Sequence, residues 1–468
     1  MPRMTDMLKP YPVYKDSGAS WLGEVPEHWE VRRLKQVCRF TYGDSLPTDL
    51  RNPGDVPVFG SNGIVGTHLE GNTKAPCIVI GRKGSFGKVN FSFEPVFAID
   101  TTYFIDDRNT NADLRWLYFL LGWLNLDTVS KDSAVPGLSR EDAYQELLPL
   151  PPPLEQTAIV RFLDWADGRI QRVIRARERR IKLLEEYKQA LINKAVTGQI
   201  DVRSGKPYLA YKDSGVEWLG EVPEHWEVRK LRQTALMLVS NVDKHTKEDE
   251  VTIRLCNYVD VYKNERITAD VEFMQATASL DEITRFQLRY GDVVITKDSE
   301  TWNDIGVPAL VEHEAPDLLY GYHLAILRPY HNQLIGLYML RAFQSQGVAT
   351  QFHVVANGVT RFGLSHDAIK NVHIPVPPLS EQTAIVEFLD TETERIDTAI
   401  TADHRVIDLL KEFRTRLIAD VVTGKLDVRK AAAKLLDEPD NLELDKEIDT
   451  LKPDENADTF EPETPGIV

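Results

Sequence analysis

Cysteine is scarce: Cys38, Cys77 and Cys256 are the only three in 468 residues, widely spaced and without a Cys-x-x-Cys pair. That excludes a disulfide framework and argues against a structural zinc site. No apolar run approaches the roughly 18 residues that a membrane span requires, and the N-terminus lacks the basic-then-apolar build of a secretory signal. A cytoplasmic protein that engages no membrane is therefore expected. Catalytic motifs are missing too. Gly81–Val89, GRKGSFGKV, comes nearest to a phosphate loop, but its glycines are wrongly spaced and Val89 stands where a magnesium-binding Ser or Thr would be needed. No Asn/Asp-Pro-Pro-Tyr/Phe, His-Glu-x-x-His or Gly-x-Ser-x-Gly run occurs. These absences argue against an enzyme acting alone, and no catalytic residue, cofactor or metal ligand is assigned in this chain.

An excess of positive charge is also absent. The formal net charge is −17, whereas nucleic-acid binders neutralise phosphates with Lys and Arg. The charge is unevenly placed, however. Leu435–Val468 holds twelve acidic and two basic residues, which is ten of the seventeen negative charges. That tail has few bulky apolar residues and should be disordered. The remaining body is only mildly acidic, so charge neither supports nor excludes DNA. The length is too great for one core and implies two to four domains.

What is present is a duplication. Lys9–Gln36 (KPYPVYKDSGASWLGEVPEHWEVRRLKQ) returns as Lys206–Gln233, identical at 22 of 28 positions with an offset of 197. Leu148–Asp164 (LPLPPPLEQTAIVRFLD) returns as Ile374–Asp390, and Leu191–Arg203 returns as Leu417–Arg429, both at an offset of 226. Each unit thus reads fixed, variable, fixed. The segments are an opening block (1–36), a first variable domain (37–147), a conserved region with a long helix (148–203) and a repeat of the opening block (204–233). A second variable domain (234–373), a second conserved helical region (374–429) and the acidic tail (430–468) follow.

Both variable domains read as compact α/β units. The first has β-rich runs at Val56–Phe59, Cys77–Ile80 and Val96–Ile99 and a helical stretch at Leu114–Leu124. The second has runs at Val251–Leu255, Val293–Thr296 and Leu324–Leu327 and a helix near Leu334–Ser345. Their sequences do not resemble each other closely, although each closes on a Gly-Leu-Ser, at Gly137–Ser139 and Gly363–Ser365.

The prolines of Leu148–Pro153 and Ile374–Pro378 deny helix to what precedes them and open a long helix, which Gly198 and Gly424 should stop. About 43 residues make a rod of about 65 Å. Ile170, Ile174, Ile181, Leu184, Leu191 and Ala195 recur at 3–4 spacing in the first rod; Ile396, Ile400, Ile407, Leu410, Leu417 and Val421 do so in the second. Two matched seams in one duplicated chain are most simply satisfied by each other, as an antiparallel coiled-coil pair about a pseudo-two-fold axis. Each seam carries one polar residue, Arg177 or Asp403. These could pair across the axis, but long side chains at such places more often reach solvent, and that is the expectation. Glu155 and Glu381 fall in the first helical turn, where a carboxylate complements the helix dipole. His28 and His225, each beside a tryptophan, read as structural.

Candidate contact residues lie on glycine-punctuated polar loops. They are Ser61 and Asn62; Arg82, Lys83 and Ser85; Thr101, Thr102 and Tyr103 at a presumed strand end; Lys297, Asp298 and Ser299; and Asn357, Thr360 and Arg361. Arg and Lys can bond guanine, Asn can bond adenine, and Ser or Thr can serve either. Taken one loop at a time, an ordinary solvated turn is the simpler reading. The basic run from Arg169 to Lys182 is more simply a solvated or subunit-binding face than a phosphate track.

The YKDSG…WLGEVPEHWEV block, the PLPPPLEQTAIV and PVPPLSEQTAIV helix starts and the VTG…DVR ends, recurring in order, resemble the conserved regions of the specificity (S) subunit of type I restriction–modification systems. VPVFGSNGIVG, IVIGRKGSFGKVNF and GDVVITKDSE resemble that family's target-recognition domains. The resemblance implies two target-recognition domains separated by the paired helices, each reading one half of an asymmetric bipartite double-stranded DNA site, with helix length setting the spacer. It also implies partners: two modification subunits carrying S-adenosylmethionine and, in the full complex, two ATP- and Mg-dependent restriction subunits. A coiled-coil scaffold that binds proteins is the alternative from another class, and a self-sufficient nuclease or methyltransferase is a third.

Overall fold

The computed structural model describes residues 8–128 and 137–435, so the expected disorder of the acidic tail lies almost entirely outside the described residues. The chain forms two compact units, residues 1–175 with 407–468 and residues 176–406. Each unit is therefore assembled from fixed and variable segments together.

In the first unit, strand β1 (Glu30–Arg33) ends the opening block. The variable lobe follows with β2 (Thr41–Tyr42), β3 (Val56–Gly60), β4 (Gly63–His68), β5 (Cys77–Gly81), β6 (Val89–Ser92), β7 (Phe97–Ala98), β8 (Thr102–Ile105) and helix α1 (Leu114–Trp123). Strand β9 (Leu147–Leu150) then leads into α2 (Pro153–Val196). The lobe has two sheets, ordered β2-β8-β5-β6 and β4-β3-β7, with β3 and β7 parallel. Its strands are short and its β5 is apolar and buried throughout, as expected of a strand covered on both faces.

The second unit repeats the plan. Its opening block ends in β10 (Glu227–Lys230). Then come β11 (Ala235–Val239), β12 (Val251–Cys256), β13 (Arg266–Ile267), β14 (Met274–Ala278), β15 (Val293–Thr296), β16 (Pro308–Val311), β17 (Leu318–Tyr320), β18 (Leu324–Pro329) and α3 (Gly336–Gln344). Strand β19 (His373–Val376) leads into α4 (Leu379–Val422). The sheets are β11-β18-β15-β16-β13 and β14-β12-β17, with β12 and β17 parallel. Apart from the added edge strand β13 and a small extra sheet of Asp298–Ser299, Phe362–Gly363 and Asn357–Gly358, the order is that of the first lobe. Two domains with little likeness in sequence therefore share one topology, because alternation of buried and exposed positions, rather than particular residues, specifies a sheet.

Each lobe leaves and rejoins the fixed scaffold through one two-stranded ribbon. Strand β1 pairs with β9 (Glu30↔Leu150) and β10 with β19 (Glu227↔Val376), in the same antiparallel register. The bridging amides match as well: Leu34 N–H donates to Glu146 O at 2.8 Å and Leu231 N–H to Val372 O at 2.9 Å. A lobe is thus an insertion between paired strands, so that two lobes of unlike sequence sit on the same ribbon.

The opening blocks are tied down by the helix-start glutamates. In the first unit Glu155 accepts from Trp29 Nε1 (2.9 Å) and Tyr11 Oη (3.1 Å), with His28 Nε2 at 2.6 Å and Arg429 at 3.2 Å. In the second, Glu381 meets Trp226 (2.9 Å), Tyr208 (2.9 Å), His225 (2.9 Å) and Arg203 (3.4 Å). Both glutamates are buried, so they serve as hubs as well as dipole partners. The histidines belong to these hubs. Gly198 and Gly424 (φ +74° and +78°) end the helices, and each receives a proline and a tryptophan of an opening block. A Cβ there would lie 2.3 Å from Pro223 Cδ or 2.4 Å from Pro26 Cδ.

Within the second unit the paired helices run antiparallel, as Lys188–Asp397 (2.7 Å) and Arg177–Asp403 (2.6 Å) show by advancing in opposite directions. In the first unit Arg414 pairs with Asp167. The seam residues Ile170, Ile174, Ile181, Leu191, Ile396, Ile407 and Leu417 are buried, and Leu184, Ile400 and Leu410 are half-buried. The polar seam position departs from the expectation of solvent-seeking side chains. Asp403 is 1% exposed and holds Arg177, while Arg180 Nε lies 3.1 Å from its other oxygen. A short aspartate on a helix facing the partner cannot reach water, so the longer arginines come to it.

Candidate nucleic-acid interface

The candidate residues of the first lobe converge on the connection between β5 and β6. Arg82 follows β5 directly. Its N–H donates to Thr101 O (2.8 Å), and its carbonyl accepts from Leu138 N (2.8 Å). Its guanidinium lies over the Tyr42 ring, 5.1 Å from the centroid, and Arg140 lies over the same ring at 5.0 Å. Lys83 and Ser85 are exposed. The β3–β4 hairpin tip, Ser61 and Asn62, leans on this loop, for Lys88 Nζ donates to the Asn62 carbonyl (2.8 Å) and to its side-chain oxygen (3.0 Å).

In the second lobe Lys297 follows β15 directly, the strand equivalent to β5. Its N–H donates to His323 O (3.0 Å), the residue before β18, and its carbonyl accepts from Leu364 N (2.9 Å). Arg82 and Lys297 therefore occupy the same place, each held between the residue that precedes the equivalent strand β8 or β18 and the leucine of Gly-Leu-Ser. The buried leucines Leu138 and Leu364 fix that turn, and Ser139 and Ser365 cap the short helices that follow. Asp298 is half-buried and accepts from His323 Nδ1 at 2.8 Å. The strand pair Asn357–Gly358 and Phe362–Gly363 lies beside it, with Asn357, Thr360 and Arg361 exposed.

Three candidates are corrected. Thr102 is fully buried and donates to Ile99 O (2.7 Å), Tyr103 is buried and donates to Leu138 O (3.1 Å), and Ser299 is buried in a strand pair with Phe362. They hold the loops from beneath: Thr102 and Tyr103 begin β8, which lies inside its sheet, and Ser299 is covered where its short strand pairs with Phe362. Sequence reasoning passed over Arg140, Tyr42 and His323. Arg140 immediately follows Gly-Leu-Ser, but its stacking on Tyr42 joins residues about a hundred positions apart.

The loop surfaces offer cations, amides and hydroxyls on rigid supports, a set suited to phosphate and base-edge contact. Cys38, Cys77 and Cys256 are free and buried, and burial pushes each thiol up, away from nucleophilic use. Among the described residues no group of three or more His, Cys, Asp or Glu is placed to hold a metal ion, and no helix is long and apolar enough to cross a membrane.

Comparison with known proteins agrees with this architecture. The family model for the type I restriction modification DNA specificity domain matches residues 26–182 and again residues 223–403. The type I restriction enzyme MjaVIII specificity subunit of Methanocaldococcus jannaschii is 21% identical over 423 residues, covering 86% of this chain and 94% of that one. The EcoBI specificity subunit of Escherichia coli is 22% identical over 394 residues, covering 77% and 78%. A further relative from the same archaeon, 23% identical over 219 residues, is matched across 50% of its own length. A solved chain from a study of complex assembly and conformational transition of the type I R-M system superposes with a TM-score of 0.63 at 18% identity, over 85% of this chain and 98% of that one, a likeness of fold. With two copies of the domain spanning well over half its length, the chain belongs to the family of type I restriction–modification DNA specificity subunits.

Proposed function

We propose that each lobe reads one half of an asymmetric bipartite DNA site, while the chain itself catalyses nothing. One observation carries the reading: two lobes of the same strand order place different chemistry on the same connection, Arg82-Lys83-Ser85 in one and Lys297-Asp298 in the other. A common frame with unlike contacts is what two unlike half-sites would require, since base identity is read by the donor and acceptor set presented. Methyl transfer would come from two modification subunits that bind S-adenosylmethionine. ATP-driven restriction subunits, with their Mg, would complete the assembly, and those partners would share the phosphate contacts that an acidic chain supplies poorly.

Exchanging the first lobe between β1 and β9 for that of another family member tests the reading. Mapping of methylated bases in cells expressing the chimera with its modification subunits should show one half-site replaced and the other retained. Replacement of both, or of neither, would refute it. Each mismatched base pair should weaken binding by about 1–3 kcal/mol.

Helix length would set the unread spacer. Helices α2 and α4 are each 44 residues without interruption. Inserting four residues in both should widen the methylated spacer by about 6 Å, near two base pairs. An unchanged spacer would end the ruler idea.

A further inference from the structure

We infer that Gln156 and Gln382 are positioning residues that seat the two lobes through main-chain atoms alone, so that the seat is indifferent to lobe sequence. The inference rests on the reading that the lobes recognise DNA. Both glutamines follow the hub glutamates and are buried, at 4% and 0% exposure. The side-chain nitrogen of Gln156 donates to Pro151 O (2.9 Å); that of Gln382 donates to Pro377 O (2.9 Å) and also to a main-chain atom of its lobe, Gln333 O (2.8 Å). Each side-chain oxygen then accepts one backbone N–H from the lobe, Asp113 N at 2.9 Å for Gln156 and Ile335 N at 2.9 Å for Gln382.

Asp113 and Ile335 are the N-cap residues of α1 and α3. They share nothing as side chains, one an acid that caps its own helix and the other a β-branched apolar residue. The contact has nonetheless stayed at the same backbone atom. A carboxamide is the group this requires, because a carbonyl and an amide N–H must be met by one short side chain carrying both a donor and an acceptor.

Eight residues further along each long helix, on the same face, a carboxylate adds a charged contact. Asp164 accepts from Arg115 Nε (2.9 Å), and Asp390 from Arg341 (2.7 Å). Arg115 is the second residue of α1, whereas Arg341 is the sixth of α3. The ion pair has moved by a helical turn while the amide contact has not. The glutamine is therefore the fixed index point, and the aspartate an adaptable brace. Helix α1 packs on β5 and β6, and α3 on β15, β16 and β18, the strands that carry the Arg82 and Lys297 connections. Seating the helix start thus sets where those loops point.

The experiment uses the full chain with its modification subunits and reads two quantities: amide hydrogen exchange at Asp113 and Ile335, and discrimination between cognate and mismatched bases in each half-site. Gln156→Leu should speed exchange at Asp113 and reduce discrimination in the first lobe's half-site, each by about ten-fold, the worth of one buried hydrogen bond. Ile335 and the other half-site should stay unchanged. Gln382→Leu should do the converse. Gln156→Glu, which keeps an acceptor toward Asp113 but has no donor for Pro151 O and sets a carboxylate oxygen against it, should lose discrimination in the first half-site as well. The same Gln156→Leu loss should appear when an unrelated lobe occupies the first position. Equal loss at both half-sites, full discrimination under Gln156→Glu at neutral pH, or faster exchange at Asp113 with discrimination intact would overturn the inference. Were the lobes not DNA readers, lobe exchange would leave both half-sites unaltered while Asp113 exchange still responded, which separates the two failures.

Discussion

Replacing Glu381 by alanine is expected to destabilise the second unit by about 3–5 kcal/mol, as removal of one partner from a buried charged cluster does. The side chain is buried, and Trp226, whose indole N–H it accepts, is fully buried. Without the carboxylate, that N–H and the Tyr208 hydroxyl lose their acceptor, and the opening block loses its tie to α4. Chemical unfolding followed through tryptophan fluorescence and amide exchange around Trp226 measures the loss; a change below about 1 kcal/mol would mean the hub is held by packing alone. The acid dependence has a definite sign. Burial raises the Glu381 pKa, but hydrogen bonds from Trp226, His225 and Tyr208 and the charge of Arg203 outweigh it, so the folded value lies below the ordinary 4.5. Its contribution is therefore fully present above pH 4.5 and lost as pH falls through the lower folded value. Glu381→Gln should flatten that acid limb.

The second large effect is expected at Asp403. Asp403→Arg would set a third cation against Arg177 and Arg180 at a position 1% exposed, and should weaken the helix pair by about 3–5 kcal/mol. Adding Arg177→Asp restores an opposite-charge pair and should recover roughly half, measured as a double-mutant cycle in urea. No recovery would mean that Asp403 is not coupled to Arg177. Replacing both Asp403 and Arg177 by leucine should be neutral or stabilising by about 1–4 kcal/mol, because two apolar residues avoid the desolvation of a buried charge. If so, the pair serves register between the helices rather than their stability, as a polar residue at a coiled-coil seam does.

The sequence by itself determined the duplication, the two long helices and their apolar seams. These are encoded locally, by prolines that forbid helix before Pro153 and Leu379, by glycines that stop it at Gly198 and Gly424, and by a 3–4 spacing that any stretch of about ten residues displays. It also determined most strands and the loops worth inspecting, since glycine turns and β-branched runs are local signals. Only the tertiary structure decided which residues meet. The common topology of the lobes, the equivalence of Arg82 and Lys297, the burial of Thr102, Tyr103 and Ser299, and the glutamate and glutamine contacts all join positions far apart in the chain. Arg177 and Asp403 make the point at a single site. Each is unremarkable in its own helix, and whether it reaches water depends on the opposing helix, which lies 226 residues away.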